Sequence, residues 1–115
     1  MDARSVGSDA ERQAAAFLES QGYKILHRNY TCARGEIDLI AEDQGVLCFI
    51  EVRYRRRSRF GTPSETIGPE KRQRIILTAR YFLLRHGLEE RECRFDVVAI
   101  QEGSSPELLR DAFED

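Results

Sequence analysis

The spacing of apolar residues along the chain predicts two helices and four strands. Apolar residues three or four positions apart, the pattern of a helix that packs on one face, occur between Ser8 and Gly22 and again between Pro69 and Gly87. Alternating or continuous apolar runs predict four strands, at residues 23–29, 35–41, 46–54 and 94–100. The resulting order, αβββαβ, predicts an α/β fold with helices on both faces of a small mixed sheet.

Local residue types indicate where the ordered part of the chain begins and ends. Ser8 and Glu11 form the pattern of a capping box, so we expect the first helix to begin at Ser8. Gly22 is the expected C-terminal cap of that helix. Residues 1–7 and 103–115 are expected to be loose, the latter with at most one short helical turn.

The predicted third strand, 46–54, is apolar on both faces. A strand of this kind is typical of the centre of a sheet, where each face is covered by another element. We therefore expect it to be the central strand of the fold.

Acidic residues interrupt the second and third strands. Glu36 and Asp38 share a face of one strand, and Glu51 and Arg53 share a face of the next. A two-residue turn within residues 43–45 puts all four on one face, and one of its two placements sets Asp38 directly opposite Glu51, unless a bulge breaks the parity. Converging carboxylates suit Mg²⁺ or Mn²⁺, whereas the alternative for any single acid is an ion pair with a nearby arginine.

Composition indicates a single soluble domain over residues 1–115. Hydrophobic residues make up 41% of the chain and charged residues 33%. No apolar run approaches the roughly 20 residues that span a bilayer, and no signal peptide is visible, so no membrane association is expected. The three cysteines are widely spaced and fit neither a zinc site nor a disulfide framework, which favours a reducing, cytoplasmic location.

Positive charge is concentrated in one part of the chain. Residues 53–85 hold ten Arg and Lys against two Glu, a net charge of +8. Because the whole chain has a net charge of -2, the remaining residues carry -10. Such polarity favours an anionic partner on one part of the surface, and the alternative is a solvated arginine-rich face.

Four segments together closely resemble the YraN-like family of uncharacterised bacterial proteins. They are Gly35–Ala41, Phe49–Arg55, Phe60–Gly61 and Arg94–Val98, and the match runs from about Gly7 to Ile100. That family is assigned by resemblance to the PD-(D/E)XK nuclease superfamily, near the archaeal Holliday-junction resolvases. The resemblance implies a restriction-endonuclease-like domain that cleaves phosphodiester bonds with Mg²⁺ or Mn²⁺.

The resemblance also implies roles for individual acids. Asp38 and Glu51 take the positions of the catalytic, metal-binding Asp and Glu, and the peptide carbonyl of Val52 would be a further metal ligand. Glu11 fits the acid that the superfamily places on its first helix, although the capping box explains Glu11 without a metal. Glu36 would position the metal ligands without binding the metal itself, or would pair with a basic side chain.

Arg53 departs from the superfamily pattern, which has lysine at this position. Arginine stays protonated and cannot act as a general base, but it can clamp a phosphate or stabilise developing negative charge. Arg53 is therefore assigned a catalytic role in which it binds the phosphate or stabilises negative charge. Lys71 is a candidate to replace the missing amine, and the alternative is an ordinary surface lysine.

A set of basic residues is predicted to bind nucleic-acid phosphates. Its members are Arg55, Arg56, Arg57, Arg59, Lys71 and Arg74. On the second helix, one quarter of the helical wheel holds Lys71, Arg74, Thr78, Tyr81 and Arg85. Asp96, in mid-strand after Arg94, is instead expected to have a structural role as a hydrogen-bond or ion-pair partner.

Three functions follow from these features. The first is a metal-dependent, structure-selective DNA endonuclease that acts on branched or flapped DNA. The second is a nucleic-acid-binding protein on a nuclease fold that has lost catalysis, and the third is an adaptor whose basic face binds an acidic protein. A homodimer is expected by analogy with junction resolvases, which act in pairs.

Overall fold

A five-stranded mixed sheet lies between two helices in the computed structural model, which describes residues 3–55 and 67–114. The elements are α1 (Ala3–Ser20), β1 (Lys24–Cys32), β2 (Gly35–Asp43), β3 (Val46–Arg55), α2 (Pro69–Arg85), β4 (Cys93–Gln101) and β5 (Glu107–Phe113). The strands lie side by side in chain order, and every neighbouring pair is antiparallel except β3 and β4, which are parallel. No helix among the described residues is both long enough and apolar enough to cross a membrane.

The central strand is β3, as its two-sided apolar pattern predicts. Leu47, Cys48, Phe49 and Ile50 are almost completely buried. Leu47 and Phe49 pack with residues of α2, whereas Cys48 and Ile50 pack with residues of α1. The helices therefore cover opposite faces of the sheet, and this part of the fold prediction is confirmed.

The turn between β2 and β3 determines the register of these strands. Gln44 and Gly45 have φ angles of 50° and 85°, the combination that a two-residue type I′ turn requires. The pairing runs without a shift to the pair of Leu39 with Ile50. The next facing positions are Asp38 and Glu51, so the turn placement that sets these acids opposite each other is the one observed.

The first helix is longer than its sequence motif indicated. It begins at Ala3, so residues 3–7 are helical rather than loose, and Ser8 lies inside the helix rather than at its cap. Ala3 and Arg4 are good helix formers, and they extend the helix by more than a turn beyond the capping-box motif. The other end agrees with the prediction: Gly22 has a φ angle of 94°, and the Tyr23 N–H donates to the Leu18 carbonyl at 3.0 Å.

The acidic tail forms a strand, so the expectation of a loose tail with at most a helical turn is wrong. β5 pairs antiparallel with β4 and covers an edge that would otherwise present unpaired backbone groups. Phe113 is buried and stacks on Phe95 with ring centroids 5.0 Å apart. The observed order is therefore αβββαββ, in which the predicted core is extended by one strand.

The second helix lies close to the turn between β1 and β2. It begins at Pro69, as predicted, with Gly68 as its N-cap. Gly35 has a φ angle of 154°, and a Cβ atom there would lie 3.1 Å from Thr78 Oγ1. A larger residue would push the helix away, so Gly35 allows a close approach that brings the outer face of α2 beside this turn.

A buried polar network joins the start of β1 to β4 and β5. Asp96 is completely buried and accepts hydrogen bonds from the Tyr23 hydroxyl at 2.7 Å, Arg94 Nε at 2.8 Å and the Asp111 N–H at 2.9 Å. Arg94 also donates to Asp43 at 2.8 Å, and this guanidinium holds the pKa of Asp43 below its usual value. The predicted structural role of Asp96 is confirmed.

The hydrogen bonds to the buried Asp96 predict how much stability is lost when one of them is removed. Tyr23→Phe removes a donor from the buried Asp96 carboxylate, so we expect the free energy of unfolding in urea to fall by about 1–3 kcal/mol. Tyr54→Phe is the matched control because the Tyr54 side chain is exposed, and it should change stability by less than about 0.5 kcal/mol. Equal stability of the two variants would show that the Tyr23 hydroxyl contributes nothing.

Candidate metal centre

The regular alternation of β2 is broken at Asp38. Ile37 packs in the cluster that contains α2, whereas Leu39 packs in the cluster that contains α1, although residues two apart in a regular strand share a face. On the neighbouring strand, Asn29 lies between the paired residues Arg28 and Tyr30 and has a φ angle of 52°. The expectation that the acids of β2 and β3 share one regular sheet face is therefore wrong.

Asp38 instead reaches across to β3 just beyond the last β2–β3 pair, Leu39 with Ile50. One of its carboxylate oxygens accepts a hydrogen bond from the Val52 N–H at 2.8 Å. The Asp38 and Glu51 carboxyls lie within hydrogen-bond reach of each other, and Glu51 is only 7% exposed. The two residues assigned by sequence as the catalytic pair thus lie side by side.

This closeness changes the protonation of the pair. Burial, together with the hydrogen bond and the negative charge of Glu51, raises the pKa of Asp38 to about 8. The Val52 N–H and the Lys71 ammonium oppose this effect. Near neutral pH the carboxyl pair therefore retains a proton, as expected for neighbouring acids that lack a strong counter-charge.

Glu11 and Glu36 join Asp38 on its other side. One carboxylate oxygen from each of these three residues lies within 4.8 Å of the other two. Partial burial raises the pKa of Glu11, against a hydrogen bond with the Asn29 side chain, and the charges of Asp38 and Glu36 raise it further. Because Ser8 is not the helix cap, the capping box no longer accounts for Glu11, whose carboxylate faces the other acids.

Lys71 approaches the acids from the opposite face of the sheet. It lies in the first turn of α2, and its Nζ is 3.4 Å from Glu51 Oε2. Lys71 is therefore a partly exposed lysine that forms an ion pair with Glu51, and its role as a replacement amine stays a prediction. Since its side chain is 41% exposed, the ion pair provides only part of the charge compensation that the acids need.

The remaining predicted site residues lie on β3 or α2, or outside the described residues. Arg53 is half-buried on β3, two residues beyond Glu51. Val52 contributes its N–H to Asp38, while the role of its carbonyl as a metal ligand stays a prediction. Arg74 is exposed on α2. The Arg55 side chain, Arg56, Arg57 and Arg59 lie outside the described residues.

Asn29 is a site residue that the sequence analysis missed. Its side chain hydrogen-bonds Glu11, and its left-handed backbone lies beside the irregular position of Asp38. Asparagine is among the few residues that adopt this conformation readily, and that preference was the available signal. The residue pattern of a strand does not by itself indicate that Asn29 belongs to the site.

Together, the sheet, the two helices and the acids define an α/β protein compatible with a restriction-endonuclease-like core. The sequence profile of the Uncharacterised protein family UPF0102 matches residues 10–100, and the chain belongs to this family. UPF0102 is the YraN-like family, so the resemblance drawn from the motifs is confirmed.

Relatives in several bacteria match nearly the whole chain. A UPF0102 protein of Syntrophus aciditrophicus is 44% identical over 111 residues, covering 94% of this chain and 87% of the relative. One from Nitrosococcus oceani is 46% identical and covers 96% and 92%. One from Symbiobacterium thermophilum is 47% identical and covers 91% and 89%.

The raised pKa of Asp38 predicts how stability depends on pH in the absence of metal. An aspartate whose pKa is 3.8 in the unfolded chain and about 8 in the folded one binds more protons when folded, so the stability it contributes is lost as pH rises between these values. Asp38→Asn keeps a side-chain oxygen for the Val52 N–H but removes the titration.

Urea unfolding with a chelator at pH 5 and pH 8 measures this difference. The stability of Asp38→Asn relative to the wild type should increase by at least about 1 kcal/mol between the two pH values. The same pH dependence in both proteins would show that the pKa of Asp38 is not raised in the folded protein.

Proposed function

We propose that this protein is a metal-dependent endonuclease that hydrolyses phosphodiester bonds in branched or flapped DNA. The observation that carries the proposal is the direct apposition of Asp38 and Glu51 on neighbouring strands, with Glu11 and Glu36 gathered on Asp38. These residues occupy the positions that the resemblance to PD-(D/E)XK nucleases assigns to metal binding and catalysis.

The donor set fits a divalent cation. Asp38 has the buried Glu51 on one side and Glu11 and Glu36 on the other, and burial of such groups without compensating charge is unfavourable. Asp43, at the far end of β2, is by contrast neutralised by Arg94 and Arg110. Asp38, Glu51, Glu11 and the Val52 carbonyl would hold Mg²⁺ or Mn²⁺, and Glu36 is close enough to serve as a ligand or to support one.

When bound, the cation supplies a coordinated water of lowered pKa and offsets charge on the phosphate. The protein's own residues have separate tasks. Arg53 is always protonated, so it can bind the phosphate but cannot accept a proton. Lys71 brings an amine to Glu51 from α2 and is the candidate to replace the lysine amine that the superfamily has at position 53.

DNA is the proposed partner because basic residues lie on the chain next to the acids. Lys71 and Arg74 belong to this surface, and Arg55, Arg56, Arg57 and Arg59 are assigned to it by sequence. The proposal places the protein in the cytoplasm, where its cysteines would stay reduced. Action as a homodimer, one subunit per strand of a junction, is part of the same proposal.

The pairing of Lys71 with Glu51 favours a second candidate function. In a nuclease, Glu51 would have to bind the cation while its partner amine lies 3.4 Å away. If the ion pair excludes the metal, the protein is a catalytically silent nucleic-acid-binding protein on a nuclease fold. Metal binding and cleavage measurements separate the two functions.

The first test is binding of Mn²⁺ by isothermal titration. We expect one weak site in the wild type and at least a tenfold loss of affinity in Asp38→Asn. Affinity should rise between pH 6 and pH 8, because the carboxyl pair must release a proton to bind the cation. Glu89→Gln is the control, since Glu89 is an exposed acid beyond the other end of α2. Equal affinity of Asp38→Asn and wild type would exclude this metal site.

The second test is cleavage of labelled flap and junction DNA with Mg²⁺ or Mn²⁺. Glu51→Gln should lower the rate by at least about 100-fold while leaving DNA binding near that of the wild type. Arg53→Lys should keep or raise the rate, whereas Arg53→Ala should lower it, because only the former retains a positive charge near the phosphate.

The outcomes of the cleavage test are distinct. Wild-type protein that binds these substrates but cleaves none of them supports the catalytically silent function. Cleavage that persists undiminished in Glu51→Gln points to a contaminant or to a different active site.

A further inference from the structure

A basic, aromatic groove lies between α2 and the turn that joins β1 to β2. Its volume is about 420 Å³. The side chains that give it chemical character are Tyr30, Arg34, Tyr81, Arg85 and His86. Among the described residues, none that lines the groove is acidic. The groove therefore combines positive charge with aromatic surface, and the fold of the sheet does not require either of them to be exposed.

Tyr81 is the most exposed tyrosine in the described part of the chain. Tyr81 is 44% exposed, whereas Ile75, Ile76, Ala79 and Phe82 of the same helix are buried. Tyr30 lines the same groove and is held by edge-on packing against Phe82, with ring centroids 5.1 Å apart. Arg85 also lines the groove, so aromatic and guanidinium groups share this surface.

The groove is aligned with the candidate metal centre along α2. Lys71 and Arg85 are about 20 Å apart at 1.5 Å per helical residue. Arg74 and Thr78 lie between them, and both approach Gly35 in the β1–β2 turn. A strand that follows this face would therefore place its phosphates between the acids and the groove.

We infer that the groove binds an unpaired DNA strand, with a base stacked on Tyr81 and adjacent phosphates on Arg34 and Arg85. Base stacking on an exposed aromatic ring requires a strand whose bases are splayed out, and flanking basic groups track its backbone. A groove of this volume is too small for a duplex, which would contact the protein through its phosphates. The direction toward the acids rests on the proposed function, and the binding itself does not.

Binding without metal tests this inference separately from cleavage. The probes are a labelled 12-nucleotide single strand and a blunt duplex, measured by fluorescence anisotropy with a chelator present. Tyr81→Ala should weaken single-strand binding by about 5- to 100-fold, while Tyr81→Phe keeps the ring and most of the affinity. Binding of the duplex should change less than about twofold.

Arg85→Ala tests the contribution of the groove's positive charge, and Arg80→Ala is its matched control. Arg80 lies on the same helix but lines a different cavity, beside Phe95 and Phe113. Arg85→Ala should weaken single-strand binding more than Arg80→Ala does. If both changes have equal effects, the interaction is a general attraction to positive charge and the inference is wrong.

A tryptophan provides a direct signal for stacking. The chain contains none, so Tyr81→Trp introduces a sole indole, whose fluorescence should be quenched when the single strand binds. Absence of quenching, or unchanged single-strand affinity in Tyr81→Ala, overturns the inference even if metal-dependent cleavage is found. Quenching and selective loss in Tyr81→Ala support it even if no cleavage is found.

Discussion

The Asp38 and Glu51 carboxyls are held next to each other by the register of the β2–β3 hairpin. The Gln44–Gly45 turn sets that register, and the burial of β3 on both faces prevents it from slipping, since a one-residue shift would turn its apolar side chains to the wrong helices. The chain therefore keeps two acids in contact as a consequence of packing its own core, and near neutral pH that pair retains a proton. A cation at this point would take the place of the proton.

Acidic residues have different charge partners in two parts of the sheet. In one part, Asp43 at the end of β2 and Asp96 within β4 are paired with Arg94, and Tyr23 and Arg110 complete the hydrogen bonding. In the other, about 17 Å from Asp43 along β2, Asp38 has Glu51 on one side and Glu11 and Glu36 on the other, with Lys71 as a partial counter-charge. The first arrangement stabilises the fold, whereas the second conflicts with stability, which is typical of residues retained for function.

Much of this architecture follows from sequence because it depends on local rules. The two-sided apolar pattern identifies β3 as central, and the turn residues restrict the register to two choices that differ by one position. The same rules failed where distant contacts decide. β5 forms because Phe113 packs on Phe95 and β4 needs a partner, neither of which is visible in an acidic tail. Lys71 is brought to Glu51 by α2, whose close approach to the β1–β2 turn needs Gly35, and the left-handed Asn29 lies beside the break at Asp38.

The most direct test of this account is a crystal structure of the protein soaked in Mn²⁺, with data collected to locate manganese by its anomalous scattering. We expect one manganese peak where the β2–β3 pairing ends, with an Asp38 oxygen and a Glu51 oxygen among its ligands and the Lys71 amine displaced from Glu51. A soaked crystal with the Lys71–Glu51 ion pair intact and no manganese at Asp38 would contradict the claim that these acids form a metal centre.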